Sequence, residues 1–173
     1  MQIVFQIGVL IAVSFLFYFA FKANKQQKYS LAIIFLVVGG FALRLYSGLD
    51  FYLHAWDERY HALVAKNMLT NPFVPMLYHD TVIPLDFKNW NICQVWLHKQ
   101  PVPLWMMSAG IAVFGENEIA IRLPSIIFSC LGIYIIYLLA LEFFNRRTAF
   151  LSAFLFAIHG LIIDITTGRT ATD

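Results

Sequence analysis

Lys22-Ala23-Asn24-Lys25-Gln26-Gln27-Lys28 separates two apolar runs, Ile3 to Phe21 and Ser30 to about Leu49, and its three lysines decide how the chain is read. Each run is close to the roughly 20 residues that a helix needs to cross the hydrocarbon core of a bilayer. No positive charge precedes the first run and three follow it, the reverse of a secretory signal. The first run therefore reads as a retained span with its N-terminus outside. Two further apolar runs lie downstream, from about Pro124 to Leu141 and from Thr148 to about Thr167, with Arg146-Arg147 between them. Basic residues in short loops mark the cytoplasmic side. Two spans separate the two basic clusters, so both fit that side. The segment from Asp50 to about Arg122 is then external, as is the stretch from Thr166 to Asp173.

Composition agrees. Sixty per cent of the residues are hydrophobic and 13% are charged, against about half and a quarter in soluble domains. The expected class is all-α integral membrane, with four transmembrane helices at about 3–21, 30–49, 124–141 and 148–167 and an external loop at about 50–122. A net charge of +2, scattered along the chain, points to no nucleic-acid partner. The two cysteines make no disulfide framework, since Cys130 lies in an apolar run and Cys93 in a polar loop.

The external loop has its own pattern. Tyr60, Leu63, Val64 and Met68 recur at helical spacing with Arg59, Lys66 and Asn67 between them, which predicts a short amphipathic helix on the membrane surface. Asn71-Pro72 ends it. Residues 73–93 read as irregular loop. Pro101 to Phe114 is apolar but too short to span. It reads as a second interfacial helix that starts at its prolines and stops at Gly115. Trp90, Trp96 and Trp105 suit an interfacial belt, and Gly39-Gly40 suits close helix packing.

Several polar residues have two readings each. Asp57 and Glu58 open the first surface helix. There they can serve as caps that satisfy free N–H groups and the dipole, or Asp57 can act as a general base beside a partly desolvated cleft. Lys99 can snorkel from the interface or contact a phosphate at headgroup depth. Arg122 is expected to anchor the third span to headgroups, and Arg44 to snorkel outward from the second. Asp164, near the outer end of the fourth span, pairs with Arg169 or Arg44 or serves function directly. His98 reads first as a polar interfacial residue.

Four segments carry a resemblance. Asp57-Glu58-Arg59-Tyr60-His61-Ala62-Leu63-Val64-Ala65-Lys66-Asn67-Met68-Leu69 resembles the first external loop of C-type (GT-C) glycosyltransferases. The similarity is greatest to the group holding protein O-mannosyltransferases and lipid A aminoarabinose transferases. His98-Lys99-Gln100-Pro101-Val102-Pro103-Leu104-Trp105 resembles that family's Lys-Pro-Pro-Leu segment. Phe114-Gly115-Glu116-Asn117-Glu118 with Arg122-Leu123-Pro124-Ser125, and Gly168-Arg169-Thr170-Ala171-Thr172-Asp173, follow in the family's order.

The resemblance implies a GT-C-like helix bundle and an inverting transfer of a sugar. The donor would be a polyprenyl-phosphate carrier and the acceptor, which the residues do not identify, would lie on the external face. Asp57 matches the catalytic acid and Asp173 the second acid. Lys99 matches a lysine that contacts the carrier phosphate, and Glu58, Tyr60 and Arg169 are expected with it in substrate binding. Gln100 stands where the family has the first of two prolines. His98 stands where the lipid A group often has a metal-binding glutamate, which makes His98 the candidate ligand for a divalent metal that the residues do not require. Membrane lipids are the other expected partners, and a bacterial inner membrane with a periplasmic site the expected location. The chain is expected to be the N-terminal part, about a third, of a longer protein and to be inactive alone. A non-catalytic lipid-binding or assembly subunit with the same bundle is the competing expectation.

Overall fold

The computed structural model describes residues 2–168 apart from positions 79, 80, 83, 87, 90 and 91. Among these the ordered elements are seven helices: α1 (Gln2–Lys25), α2 (Tyr29–Ser47), α3 (Asp57–Asn67), α4 (Pro101–Phe114), α5 (Glu118–Phe143), α6 (Arg146–Ile158) and α7 (Gly160–Thr166). They form two compact units, one of residues 1–49 with the helical segment from 125 onward, the other of residues 50–124.

The first unit has its apolar side chains on the outside. Val4, Phe5, Phe15, Phe128, Leu139 and Leu155 are each more than half exposed. In water such a surface would be unfavourable by about 25 cal/mol per Å²; hydrocarbon removes that cost, and helices satisfy their own backbone there. α1, α2 and α5 are long and apolar enough to cross a membrane, and α6 with α7 forms a fourth candidate bent by 53°. The chain is an integral membrane protein.

Small residues bring these helices together. Ala20, Ala32, Ala149, Ala153 and Ala157 share a core with Leu36, Ile133 and Phe150, as expected where packing rather than hydrophobicity drives association. At Gly39 an added Cβ would stand 2.6 Å from Cε1 of Phe17, and at Gly40 it would collide with Ile133.

The fourth span departs from the expected straight helix. His159 takes an extended backbone (φ −67°, ψ 113°) before Gly160, so the α-helical ladder stops. A stop leaves the last carbonyls of α6 short of helical donors. Arg44 supplies donors instead: Nη1 donates to Ala157 O at 3.0 Å and to Gly40 O at 3.1 Å, and Nη2 donates to Phe156 O at 3.3 Å. Its Nε donates to Ser129 Oγ on α5 at 2.7 Å. Arg44 is 0% exposed, so it does not snorkel outward and does not pair with Asp164. A guanidinium has five donors and no acceptor, which suits a site made of carbonyls and one hydroxyl.

The second unit holds α3, α4, the first turns of α5 and the loop between α3 and α4. Among its described residues the loop is irregular except for one antiparallel bridge, Met76 with Val95, where Leu77 N donates to Gln94 O and Trp96 N to Pro75 O, both at 2.8 Å. α5 begins six residues earlier than the expected span because Asn117 caps it, Oδ1 accepting from Ala120 N at 2.9 Å. Pro124 sits inside α5 and cannot donate to the carbonyl four residues back. That carbonyl, Ala120 O, is the one against which Gly110 of α4 packs too closely for any Cβ.

Candidate functional site

α3 buries Val64 and Met68 of the face its apolar pattern predicts, with Tyr60 packed against them, and adds residues that the pattern does not mark. Leu63 is 36% exposed, while Glu58, His61, Val64, Ala65 and Met68 are buried. Two ionisable residues take core positions because partners meet them. Arg122 grips Glu58 with two bonds, Nε to Oε1 at 2.6 Å and Nη2 to Oε2 at 3.0 Å. Two further N–H groups donate to Asp50 O at 2.7 Å and Tyr52 O at 2.8 Å. The second Glu58 oxygen also accepts from His54 N at 2.6 Å and lies 2.7 Å from His54 Nδ1. His54 Nε2 stands 3.6 Å from Asp50. Arg122 is therefore a buried clasp on the loop entering α3, not a headgroup anchor. Glu58 is committed to the same clasp, which leaves little of its carboxylate for a substrate.

The clasp fixes the start of α3, where Asp57 stands half-buried. The residue before it, Trp56, is exposed and has φ 69°. A bulky residue with positive φ is sterically costly and belongs to the strained conformations found at functional sites. Trp56 occupies the cap position and makes no side-chain cap bond. Asp57 lies within the first turn and accepts no hydrogen bond from any described residue. The cap reading therefore reduces to the charge of Asp57 against the helix dipole.

One turn on, Tyr60 and His61 meet Trp96, two residues before His98. The rings of Tyr60 and Trp96 lie parallel with centroids 6.3 Å apart, His61 lies edge-on to Trp96 at 5.1 Å, and His98 lies 5.6 Å from Trp96. Trp96 is 3% exposed, and its indole N–H has no acceptor among the described residues. His61 has its pKa lowered from 6.5 to about 4, first by burial and then by the positive charge of Lys99, against the opposing pull of Asp57 and Glu58. Its imidazole is neutral at pH 7. Lys99 is half-buried and His98 exposed.

The structure thus gathers Tyr60, His61 and His98 on Trp96 within one unit, with Lys99, Asp57 and Glu58 near enough to act electrostatically on His61. Asp173, Arg169 and Trp90 lie outside the described residues. Among the described residues no three His, Cys, Asp or Glu side chains gather as a metal site. A separate cavity of about 290 Å³ opens on the Arg59, Ala62, Leu63 and Lys66 face of α3 and includes neither Asp57 nor Lys99. Sequence reasoning passed over His61 because a lone histidine on an amphipathic helix carries no signal of its own. Only its neighbours mark it.

The family model described as dolichyl-phosphate-mannose-protein mannosyltransferase matches residues 98–173. An undecaprenyl phosphate-alpha-4-amino-4-deoxy-L-arabinose arabinosyl transferase of Pseudomonas paraeruginosa is 37% identical over 140 residues, 80% of this chain and 23% of the relative. A protein of the same description from Pseudomonas savastanoi pv. phaseolicola is 30% identical over 118 residues, 58% of this chain and 22% of the relative. The chain thus spans only part of these curated relatives, the matched stretches covering under a quarter of their length. No solved structure matches.

Proposed function

We propose that this chain, which belongs to the C-type glycosyltransferases, forms the part of a polyprenyl-phosphate-dependent glycosyltransferase that holds the general base and the donor phosphate. The observation that carries the reading is that Asp57, a first-turn carboxylate with no cap bond, and Lys99 both act electrostatically on the buried, neutral His61. The relatives' descriptions name an undecaprenyl-phosphate aminopentose, and a donor of that class is proposed here.

The chemistry is an inverting displacement. An acceptor hydroxyl attacks the anomeric carbon as Asp57 takes its proton, and the carbon–oxygen bond to the carrier phosphate breaks. Charge develops on that phosphate, and Lys99 offsets it. A neutral His61 leaves the local positive charge on Lys99. The buried Trp96 N–H is a further donor for a ligand oxygen. Tyr60, Arg169 and the second acid, Asp173, are proposed in donor and acceptor binding, and Glu58 supports the site through Arg122. The site is proposed to face the periplasm from the inner membrane, with Lys22 to Lys28 on the other side. A single cysteine at position 26 is then shielded from a membrane-impermeant reagent, and one at position 81 is labelled; the opposite pattern overturns the orientation.

The test of catalysis is Asp57→Asn in the full-length protein, with sugar transfer from the purified lipid donor as readout. Loss of a general base lowers the rate by about 10²–10⁴-fold, whereas a purely electrostatic role at the helix start is worth only about 0.3–1 kcal/mol of stability. An Asp57→Asn enzyme with normal turnover sinks the base assignment and leaves the assembly-subunit reading. Lys99→Ala should weaken donor use by roughly 1.5–3 kcal/mol, the worth of a charged hydrogen bond, with little change in acceptor affinity. Unchanged donor use makes Lys99 a membrane anchor.

A further inference from the structure

The two basic clusters that set the predicted orientation meet in space, and helix energetics does not account for how they meet. Lys22 and Lys25 lie in the last turn of α1, where cations complement the helix dipole. Arg146 and Arg147 instead open α6, and Lys28 holds the cap position of α2. Those are the positive ends of two helices, where cations are unfavourable. Neither α2 nor α6 has an acidic residue in its first turn, and α2 has no side-chain cap. Like charges at helix N-termini need an anion, and among the described residues these cations make no ion pair.

The space for one is present. A cavity of about 1,010 Å³ is lined by Lys22, Lys25, Arg146, Arg147, Tyr29 and Phe21, and no acidic residue is among its described lining. Arg146 is held in place by its guanidinium, 4.3 Å from the centroid of the Tyr29 ring. Tyr18 borders this cavity and also a second, apolar one of about 500 Å³ that runs along α1 past Phe15, Ile11, Leu10 and Ile7. A basic pocket that continues into an apolar groove along a spanning helix has the chemistry of a lipid: phosphate at the helix ends, acyl chain down the side. Free phosphate would use the first and leave the second bare.

We propose that the cavity between the α1–α2 turn and the start of α6 binds the phosphate headgroup of an anionic phospholipid, with an acyl chain along α1. This site lies at the N-terminal end of α2, within the first unit, and it stands whether or not the glycosyltransferase reading holds.

The purified chain, in detergent, is supplied with equal amounts of phosphatidylglycerol and phosphatidylcholine. Co-purifying lipid is then counted by mass spectrometry. Phosphatidylglycerol should be retained preferentially, and the Arg146→Gln/Arg147→Gln variant should lose about 30-fold of that preference, since each basic residue near a lipid surface is worth about fivefold. Removing basic residues can also invert the protein in the membrane. Asn24→Glu/Gln26→Glu therefore provides a second variant, because added acids contribute little to orientation while they oppose an anion in the cavity. It should lose the preference as well. Equal retention of both lipids, or unchanged preference in the Glu variant, overturns the site. Displacement of phosphatidylglycerol by millimolar inorganic phosphate overturns the lipid as occupant.

Discussion

Two buried arginines, Arg44 in the membrane-spanning unit and Arg122 in the unit that carries Asp57, solve one problem in opposite ways. Both are nearly devoid of solvent exposure, at 0% and 3%. Arg122 is neutralised by a carboxylate, Glu58, and also donates to two carbonyls of the loop entering α3. Arg44 meets no carboxylate among the described residues. Three carbonyls and a serine hydroxyl surround it, and two of those carbonyls, of Phe156 and Ala157, lie at the end of a helix broken at His159-Gly160. An ion pair concentrates the cost of disruption in whichever partner remains. A guanidinium solvated by dipoles spreads that cost over groups that are each only partly dependent on it. The first arrangement fixes one geometry, here the start of α3; the second holds a bend in a span.

The largest effect should follow from breaking the ion pair. Glu58→Gln leaves Arg122 buried without its counter-charge and should destabilise the second unit by about 3–5 kcal/mol, read as a lower thermal midpoint and faster proteolysis between residues 50 and 124. Adding Arg122→Met should restore much of that loss, because the unpaired charge is then gone. If the double variant is as unstable as the single, the pair is not what holds the loop.

Arg44→Met should cost less, about 2 kcal/mol, since it strands carbonyls rather than a charge. Its effect should appear in the first unit, as increased amide exchange around residues 156–160. A larger loss than Glu58→Gln would reverse the comparison.

The smallest effect is set by pH. His61 titrates at 6.5 when unfolded and at about 4 in the folded unit. The unfolded state therefore binds more protons between those values. Stability is complete above about pH 6.5 and falls as the pH drops toward 4, with about 1–2 kcal/mol lost by about pH 5.5 to 5. His61→Gln should flatten this part of the profile while leaving the Glu58–Arg122 response intact. An unchanged slope would locate the acid sensitivity elsewhere.

The spans were legible because hydrocarbon imposes its requirement residue by residue: a run of apolar side chains about 20 long has few other uses. α4 was legible for a similar reason, from its prolines and Gly115 at the two ends. What escaped was every case in which a polar residue is buried against a distant one. Glu58 and Arg122 are 64 residues apart, and Arg44 and Ala157 are 113 apart. No local periodicity couples such positions, so each arginine taken singly read as a surface anchor. On α3 the hydrophobic spacing marks Val64 and Met68 correctly but also Leu63, and it carries no sign that Glu58 is buried, because the partner of Glu58 is equally distant in sequence.

For the candidate site, the chain's own residues named Asp57 and Lys99 through local motifs at a helix start and before a proline pair. That Asp57 lacks a cap bond, that Trp56 turns the backbone before it, and that His61 is buried and neutral within the field of Lys99 are decided by tertiary structure. Membrane residence was determined by the sequence alone, because solvent acts on every side chain independently. Which charges are buried, and what answers them, was decided only by folding, because a buried charge is tolerated solely where the chain returns, from far away, with the matching group.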